Sequence, residues 1–332
     1  MTARFRLALL ALGASMLWML VRRVGVGVLL ENAASVGWMF LPILALYGLM
    51  LACNTLAWYL TLAGESARPP FMRLLGLTIS GSALNFVTPV INAGGEPYRV
   101  AGLVPWLGPR RAAGSVILIR MLNTLALILT WFTALVLALI LLPLHGLLLI
   151  GVVTAAAVTL GLALLVFTGH QEGVLERLLD WLHRLPVLGR LARRLEGWRG
   201  TLTEMDRQIA EFYHRSPRLF FQALAVEYAA RAMLMGEYYL VAVGLGIPMT
   251  VTDAYLVGGL ASLIQNIIFL IPYEVGVKEG ALFLLFQLVG LDPVTGLYTA
   301  LVIRARDLTW IGIGLLLVGV VPHPSPEPGS AA

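Results

Sequence analysis

Long apolar stretches separated by short polar segments dominate the pattern of this 332-residue chain. Six of these stretches approach or exceed the roughly 20 apolar residues that a helix needs to cross about 30 Å of hydrocarbon. They predict membrane-spanning helices at residues 5 to 21, 37 to 63, 112 to 141, 146 to 168, 218 to 245 and 294 to 321. The pattern therefore predicts an all-α polytopic membrane protein.

Two further apolar stretches, residues 74 to 104 and 254 to 291, have a polar interruption at their centre. The first contains INAGGEPYR and the second IPYEVGVKEG. Each arm of the first has about 13 to 15 residues, roughly 20 Å of helix, which is too short to cross the hydrocarbon. Since irregular backbone is not tolerated in lipid, we interpret both stretches as re-entrant helical hairpins sheltered by protein or by a water-filled cavity. The expected helix breaks are Pro89, Gly94, Gly95, Pro272 and Gly276.

The two interruptions carry residue types in the same order: Asn, Pro, Gly and Glu, followed by an Arg in the next span. Pro to Glu is seven residues in both copies, and Glu to Arg is 24 residues in the first and 25 in the second. Each half of the chain, residues 1 to 143 and 144 to 321, then contains span, span, hairpin and span. Three crossings per half invert the second half, so the hairpins enter from opposite faces. Many secondary transporters use such inverted repeats to bind substrate near the bilayer midplane.

Composition supports a bilayer environment, because the chain is 59% hydrophobic and 12% charged, with a mean hydropathy of +0.87. The formal charge of +5 does not indicate a nucleic-acid partner. Basic residues concentrate at residues 170 to 217, interleaved with acidic ones, which predicts an amphipathic segment on the cytoplasmic membrane surface. The single Cys and five scattered His lack metal-ligand spacing, so we predict no metal and no cofactor.

Placing this basic segment on the cytoplasmic side of the membrane predicts that both termini are cytoplasmic. One integral membrane domain is expected over residues 1 to 321, followed by a disordered tail at 322 to 332. Scattered Trp and Tyr residues, including Trp58 and Trp310, are interpreted as interfacial anchors.

Charged residues inside the membrane are the strongest functional signal, because each costs about 2.5 to 3.5 kcal/mol at a helix centre. They must therefore be paired or hydrated. We expect Glu96 to pair with Arg120, and Glu279 with Arg304, either as structural bridges or as groups that handle a substrate or proton. The candidate substrate-binding residues are Asn85, Glu96, Arg99, Arg120, Asn266, Lys278, Glu279 and Arg304.

Two side features refine this set. For the two asparagines, Asn85 and Asn266, we favour a structural role: their side chains are expected to satisfy backbone groups freed at the helix breaks. Glu227 and Arg231 lie four residues apart in the span at 218 to 245, a spacing that predicts an ion pair on one helix face.

These motifs resemble a known family. The segments GSALNFVTPVINAGGEPYRVAGL, PYEVGVKEGALFLLFQLVGL and LVIRARDL are similar to the lysylphosphatidylglycerol synthase transmembrane-region family, also called flippase-like proteins. The RARD sequence at residues 304 to 307 is similar to members associated with hopanoid biosynthesis. The resemblance implies a multi-pass protein of the bacterial inner membrane that moves a lipid between leaflets or assists lipid trafficking. Some relatives carry a soluble aminoacyl-transfer domain, which is not expected here.

We therefore predict a lipid translocase, and not an enzyme, for a lipid with a polar, anionic headgroup. Lipid-biosynthesis proteins are candidate partners. A membrane-embedded lipid-modifying enzyme, with Glu96 or Glu279 as general base, is one alternative, although the chain lacks a nucleophile constellation and a phosphate loop. A proton-coupled carrier of a small polar solute is another.

Overall fold

Helices account for nearly all of the residues that the structure describes. The computed structural model describes residues 36–65, 67–87, 94–168, 216–267 and 277–320, together with Gly27 and Ala34. Within these residues there are eight α-helices and no β-strand. The helices are α1 (Phe40–Thr61), α2 (Phe71–Val87), α3 (Gly95–Leu141), α4 (Gly146–Thr168), α5 (Pro217–Gly244), α6 (Val251–Ile267), α7 (Val277–Leu288) and α8 (Pro293–Val320).

Several of these helices are suited to cross a bilayer. Gly37–Thr61, Gly95–Leu141 and Gly146–Leu164 are long and apolar enough to do so. Helices α5 and α8 have 28 residues each and reach about 42 Å, which is long enough to cross. Their sequences are less apolar because both contain charged residues. An all-α polytopic membrane protein is therefore confirmed, and the predicted spans from residue 37 onward coincide with α1, the second part of α3, α4, α5 and α8.

The second arm of the first hairpin and the third predicted span follow each other without a loop over residues 95–141, which we label α3. This helix is kinked at Gly108, where φ is 73° and ψ is 166°. Glycine tolerates that backbone conformation, and Pro109 cannot donate the hydrogen bond that would continue the helix. The kink divides α3 into an arm at residues 95–107, about 20 Å long, and a span that begins at residue 109.

The arms of each predicted hairpin lie against each other. Helix α2 packs on α3, and α6 packs on α7. The arms α2 and α6 both have 17 residues, and α7 has 12. The connecting tips, including Pro89, Pro272 and Gly276, lie outside the described residues.

Packing between the two halves is reciprocal. The first arm of each hairpin contacts the last span of the other half, α2 with α8 and α6 with α3, while α1 packs along α5. Glycines allow close approach at both contacts, because a Cβ added at Gly314 or Gly259 would lie 2.5 Å from the Cβ of Ala83 or Ala134, respectively. Two repeats related by a pseudo-two-fold axis would produce such a pattern, and the division near residue 143 stays a prediction.

Trp58 does not face outward from the helix bundle, as an interfacial anchor would. Its side chain is buried, and its indole nitrogen donates a hydrogen bond of 2.8 Å to the hydroxyl of Ser115. The interfacial interpretation is wrong for this residue, because a polar partner inside the helix bundle satisfies the indole. The predicted span at residues 5 to 21, the surface segment up to residue 215 and the tail at 322 to 332 fall outside the described part of the chain.

Candidate functional site

Asn85 links the end of α2 to the start of α3. The Asn85 Oδ1 accepts a 2.7 Å hydrogen bond from the backbone nitrogen of Gly95, one of the amide groups that a helix start leaves without an internal partner. Its Nδ2 donates to Glu96 Oε1 at 3.0 Å. Asn85 therefore both satisfies the backbone at the first hairpin break and orients the Glu96 carboxylate.

Two arginines converge on the same carboxylate oxygen. Arg120 Nε lies 3.1 Å from Glu96 Oε1, and Arg99 Nη1 lies 3.5 Å from it. The Nη2 of Arg99 also donates to the Thr78 carbonyl and the Ser82 hydroxyl, at 3.2 and 3.0 Å. Arg99 is thus held within the hairpin, whereas Arg120 belongs to the following span and its side chain is 46% exposed.

A second polar network faces the first from α5. Glu227 is fully buried, and its Oε2 accepts a 2.9 Å hydrogen bond from Asn123 Nδ2. The Asn123 Oδ1 in turn accepts a 2.6 Å hydrogen bond from Arg231 Nη2. The predicted interaction between Glu227 and Arg231 therefore runs through Asn123, a residue of α3, and ties the two halves of the chain together.

These two networks surround one cavity of ≈ 290 Å³. Helices α1, α2, α3 and α5 form its wall, and its charged lining consists of Arg99, Arg120, Glu227 and Arg231. Apolar and polar side chains of α1, including Leu51, Asn54 and Trp58, complete it. We call the group formed by Glu96, Arg99, Arg120, Glu227 and Arg231 the arginine-rich cluster.

A different group of charges joins the second hairpin to its neighbouring helices. Arg304 Nε donates to Glu279 Oε1 at 3.1 Å, and Lys278 Nζ lies 3.2 Å from Asp307 Oδ2. Arg306 bridges Glu237 at 2.6 Å and Asp307 at 2.9 Å. We call this group the balanced cluster, and its members are Glu237, Lys278, Glu279, Arg304, Arg306 and Asp307.

Tyr47 of α1 lies between the two clusters. Its ring packs against the Arg306 guanidinium, whose carbon is 4.1 Å from the ring centroid, and the same residue lines the large cavity. A cation over an aromatic face is attracted by the ring quadrupole. Tyr47 therefore connects the balanced cluster to the wall of the cavity.

Formal charge distinguishes the two clusters. Three arginines and two glutamates give the arginine-rich cluster a charge of +1, whereas three cations and three carboxylates leave the balanced cluster neutral. Buried charges are tolerated when they are paired. The balanced cluster has equal numbers of cations and carboxylates, whereas the arginine-rich cluster has one cation in excess. Within the described residues, no group of three His, Cys, Asp or Glu side chains could hold a metal ion.

Six of the eight sequence-predicted site residues belong to these two clusters, and a seventh, Asn85, is hydrogen-bonded to Glu96. Asn266 lies elsewhere: it is exposed and donates to the Ser262 carbonyl of its own helix at 2.9 Å. It does not reach Glu279, in contrast to its counterpart Asn85.

Several cavity residues were missed by the sequence analysis. Asn123 follows Arg120 by three residues and so shares its helix face, a signal that could have identified it. Thr78, Ser82 and Asn85 recur at helical spacing along one face of α2 and mark the side that meets Arg99.

Comparison with known proteins gives one match. The family described as Lysylphosphatidylglycerol synthase TM region matches residues 6–315. No curated protein and no solved structure matches the chain. Since the matched region covers most of the chain and includes both charged clusters, the protein belongs to the family of the lysylphosphatidylglycerol synthase transmembrane region.

Proposed function

We propose that this protein is a lipid translocase that moves a membrane lipid with a polar, anionic headgroup between leaflets. The observation that carries the proposal is the arginine-rich cavity between the two halves of the bundle. In this mechanism the headgroup enters the cavity while the acyl chains remain in the bilayer. Polar side chains of the cavity replace part of the water that the headgroup loses on leaving the membrane surface.

Arg120 is suited to the exchange step. Its Nε is held by Glu96, and its side chain is about half exposed. A guanidinium remains charged when partly desolvated, and its planar fork binds phosphate oxygens in pairs. An anionic headgroup competes with Glu96 for Arg120, so the ion pair opens when a lipid binds and closes when it leaves.

The balanced cluster has a structural role in this proposal. Arg304 and Arg306 are buried and paired with carboxylates on neighbouring helices. Breaking such a pair is costly because it leaves an uncompensated charge. We infer that these bridges keep α5, α7 and α8 together while the arginine-rich half changes its contacts.

The bacterial inner membrane is the proposed location, with both termini in the cytoplasm. The first hairpin then enters from the cytoplasmic face and the second from the opposite face. Proteins of lipid biosynthesis are the proposed partners, since they supply or consume the transported lipid.

Reconstituted vesicles with a leaflet-specific fluorescent lipid test the proposal. Vesicles that contain the protein are expected to exchange labelled anionic phospholipid between leaflets faster than empty vesicles. Transfer no faster than in empty vesicles, for anionic, zwitterionic and hopanoid lipids alike, would remove the proposal. Mass spectrometry of the same lipids distinguishes a transporter from an enzyme, because a transporter leaves the lipid covalently unchanged.

A further inference from the structure

Arg120 has unused hydrogen-bonding capacity. Its Nε is engaged by Glu96, whereas its two terminal nitrogens have no hydrogen-bond partner among the described residues. These nitrogens form the edge of the guanidinium that binds phosphate bidentately. Because Arg120 lines the cavity, this edge is available to a ligand inside it.

Arg231 and Glu227 supply a second donor and an acceptor. The Arg231 Nε is buried without a hydrogen-bond partner in the described part of the chain, and the same is true of Glu227 Oε1. Buried polar groups are normally satisfied, and each one left unpaired is costly. Both side chains line the cavity. A ligand that accepts from Arg231 and donates to Glu227 would satisfy both once these side chains rotate toward the cavity.

The cavity also limits ligand size. Its volume of ≈ 290 Å³ lies just below the range of about 300–1,000 Å³ that is typical of pockets for drug-sized molecules. It suits a headgroup, and the acyl chains must stay outside.

We propose that the cavity binds a phosphodiester headgroup carrying a hydroxyl donor, with Arg120 and Arg231 on the phosphate and Glu227 on the hydroxyl. This inference rests on the proposed function and names the headgroup class that the translocase accepts. A phosphodiester with a hydroxyl has a charge of −1, which neutralises the arginine-rich cluster. A zwitterionic headgroup with an ammonium satisfies Glu227 but leaves the surplus positive charge, and a quaternary ammonium offers no donor at all.

Equilibrium binding to the purified full-length chain in detergent tests the inference. The thermal unfolding midpoint is measured while dihexanoyl phosphatidylglycerol, phosphatidylethanolamine or phosphatidylcholine is added, because a ligand of the folded state raises the midpoint. Phosphatidylglycerol is expected to bind about tenfold more tightly than phosphatidylcholine, with phosphatidylethanolamine between them. Equal binding of the three lipids would overturn the inference.

A soluble probe separates a lipid headgroup from a free phosphate ester. We expect sn-glycerol 3-phosphate to bind more weakly than phosphatidylglycerol, since it lacks the acyl chains that remain in the apolar phase. Equal affinity for the two would assign the cavity to a soluble anion and overturn the lipid assignment.

Two variants separate the roles of the cavity residues. Arg231→Gln is expected to weaken the binding of all three lipids about tenfold, because each has a phosphate. Glu227→Gln is expected to weaken phosphatidylethanolamine most, because its ammonium loses a charged acceptor, while phosphatidylglycerol keeps its advantage over phosphatidylcholine through the surplus positive charge of the cluster. Arg111→Gln is the matched control, since Arg111 is exposed and pairs with Glu65 away from the cavity.

Purely structural roles predict a different outcome. Glu227→Gln would then lower the unliganded midpoint and weaken the binding of all three lipids in the same proportion, and that result would overturn the inference. Arg231→Lys keeps the charge and serves if the Gln variant fails to fold; it should weaken binding while preserving the lipid order. Because binding is measured at equilibrium, the inference can fail while transport persists, and transport can fail while the binding order persists.

Discussion

The close contact between the arms of the first hairpin makes Gly95→Ala an informative substitution. A Cβ at this position would lie 2.6 Å from Asn85 Oδ1 and 2.8 Å from the carbonyl carbon of Gly81, with the carbonyl oxygen closer still. These distances are roughly 0.6–0.8 Å shorter than ordinary van der Waals contact at 3.4 Å. Part of the obstacle is backbone, so α2 and α3 must move apart.

The cost of this movement has two parts. Overpacking a closely fitted interior costs about 1–3 kcal/mol, and weakening the hydrogen bond from Gly95 to Asn85 adds about 1 kcal/mol. A loss of this size corresponds to a fall in the thermal midpoint of about 5–10 °C. Because Asn85 also holds Glu96, the variant should lose transport activity as well as stability.

Thermal unfolding of the purified protein, followed by intrinsic fluorescence at one fixed scan rate, measures the effect. Gly280→Ala is the matched control, because Gly280 follows Glu279 in the second hairpin and a Cβ there meets no atom within 4 Å. Its midpoint should stay within about 2 °C of the wild type or rise, since alanine favours helix more than glycine does. A Gly95→Ala midpoint equal to that of Gly280→Ala would refute the close packing of the first hairpin.

Two further predictions follow from the clusters and the topology. Arg306→Gln should lower the thermal midpoint by about 10 °C and Glu237→Gln by less, because Arg306 neutralises two carboxylates whereas loss of Glu237 leaves Arg306 paired; the reverse order in the same thermal assay would contradict the balanced cluster. In a Cys53→Ala background, a single cysteine near Gly94 should react with a membrane-impermeant reagent from the cytoplasmic side, and one near Gly276 from the opposite side. Labelling of both from one face would defeat the inverted repeat.

Local features of the fold could be predicted from the sequence. The spans from residue 37 onward follow from apolar length, and the pairing of Glu96 with Arg120 and of Glu279 with Arg304 follows from the cost of isolated charges in lipid. The separation of the first hairpin, predicted to end at residue 104, from the span predicted to begin at residue 112 agrees with the break at Gly108, but the change of direction across this break could not be predicted.

Contacts between the halves could not be predicted, because they depend on how helices distant in sequence pack. Glu227 and Arg231 have the spacing of a direct ion pair, yet Asn123 from another helix lies between them. The bridge from Glu237 to Arg306 likewise joins residues of α5 and α8 that no local motif connects. Helical spacing identifies which residues share a face and does not identify the partner of that face.

The most direct test of the account is the initial rate of phosphatidylglycerol exchange between vesicle leaflets for Arg120→Ala and Arg111→Ala. Both substitutions remove an arginine that pairs with a glutamate, but only Arg120 lines the arginine-rich cavity. At equal protein content, Arg120→Ala should reduce the protein-dependent rate at least about tenfold, the effect of one charge-assisted contact, while Arg111→Ala stays near the wild-type rate. Equal rates for the two variants would contradict lipid passage through this cavity.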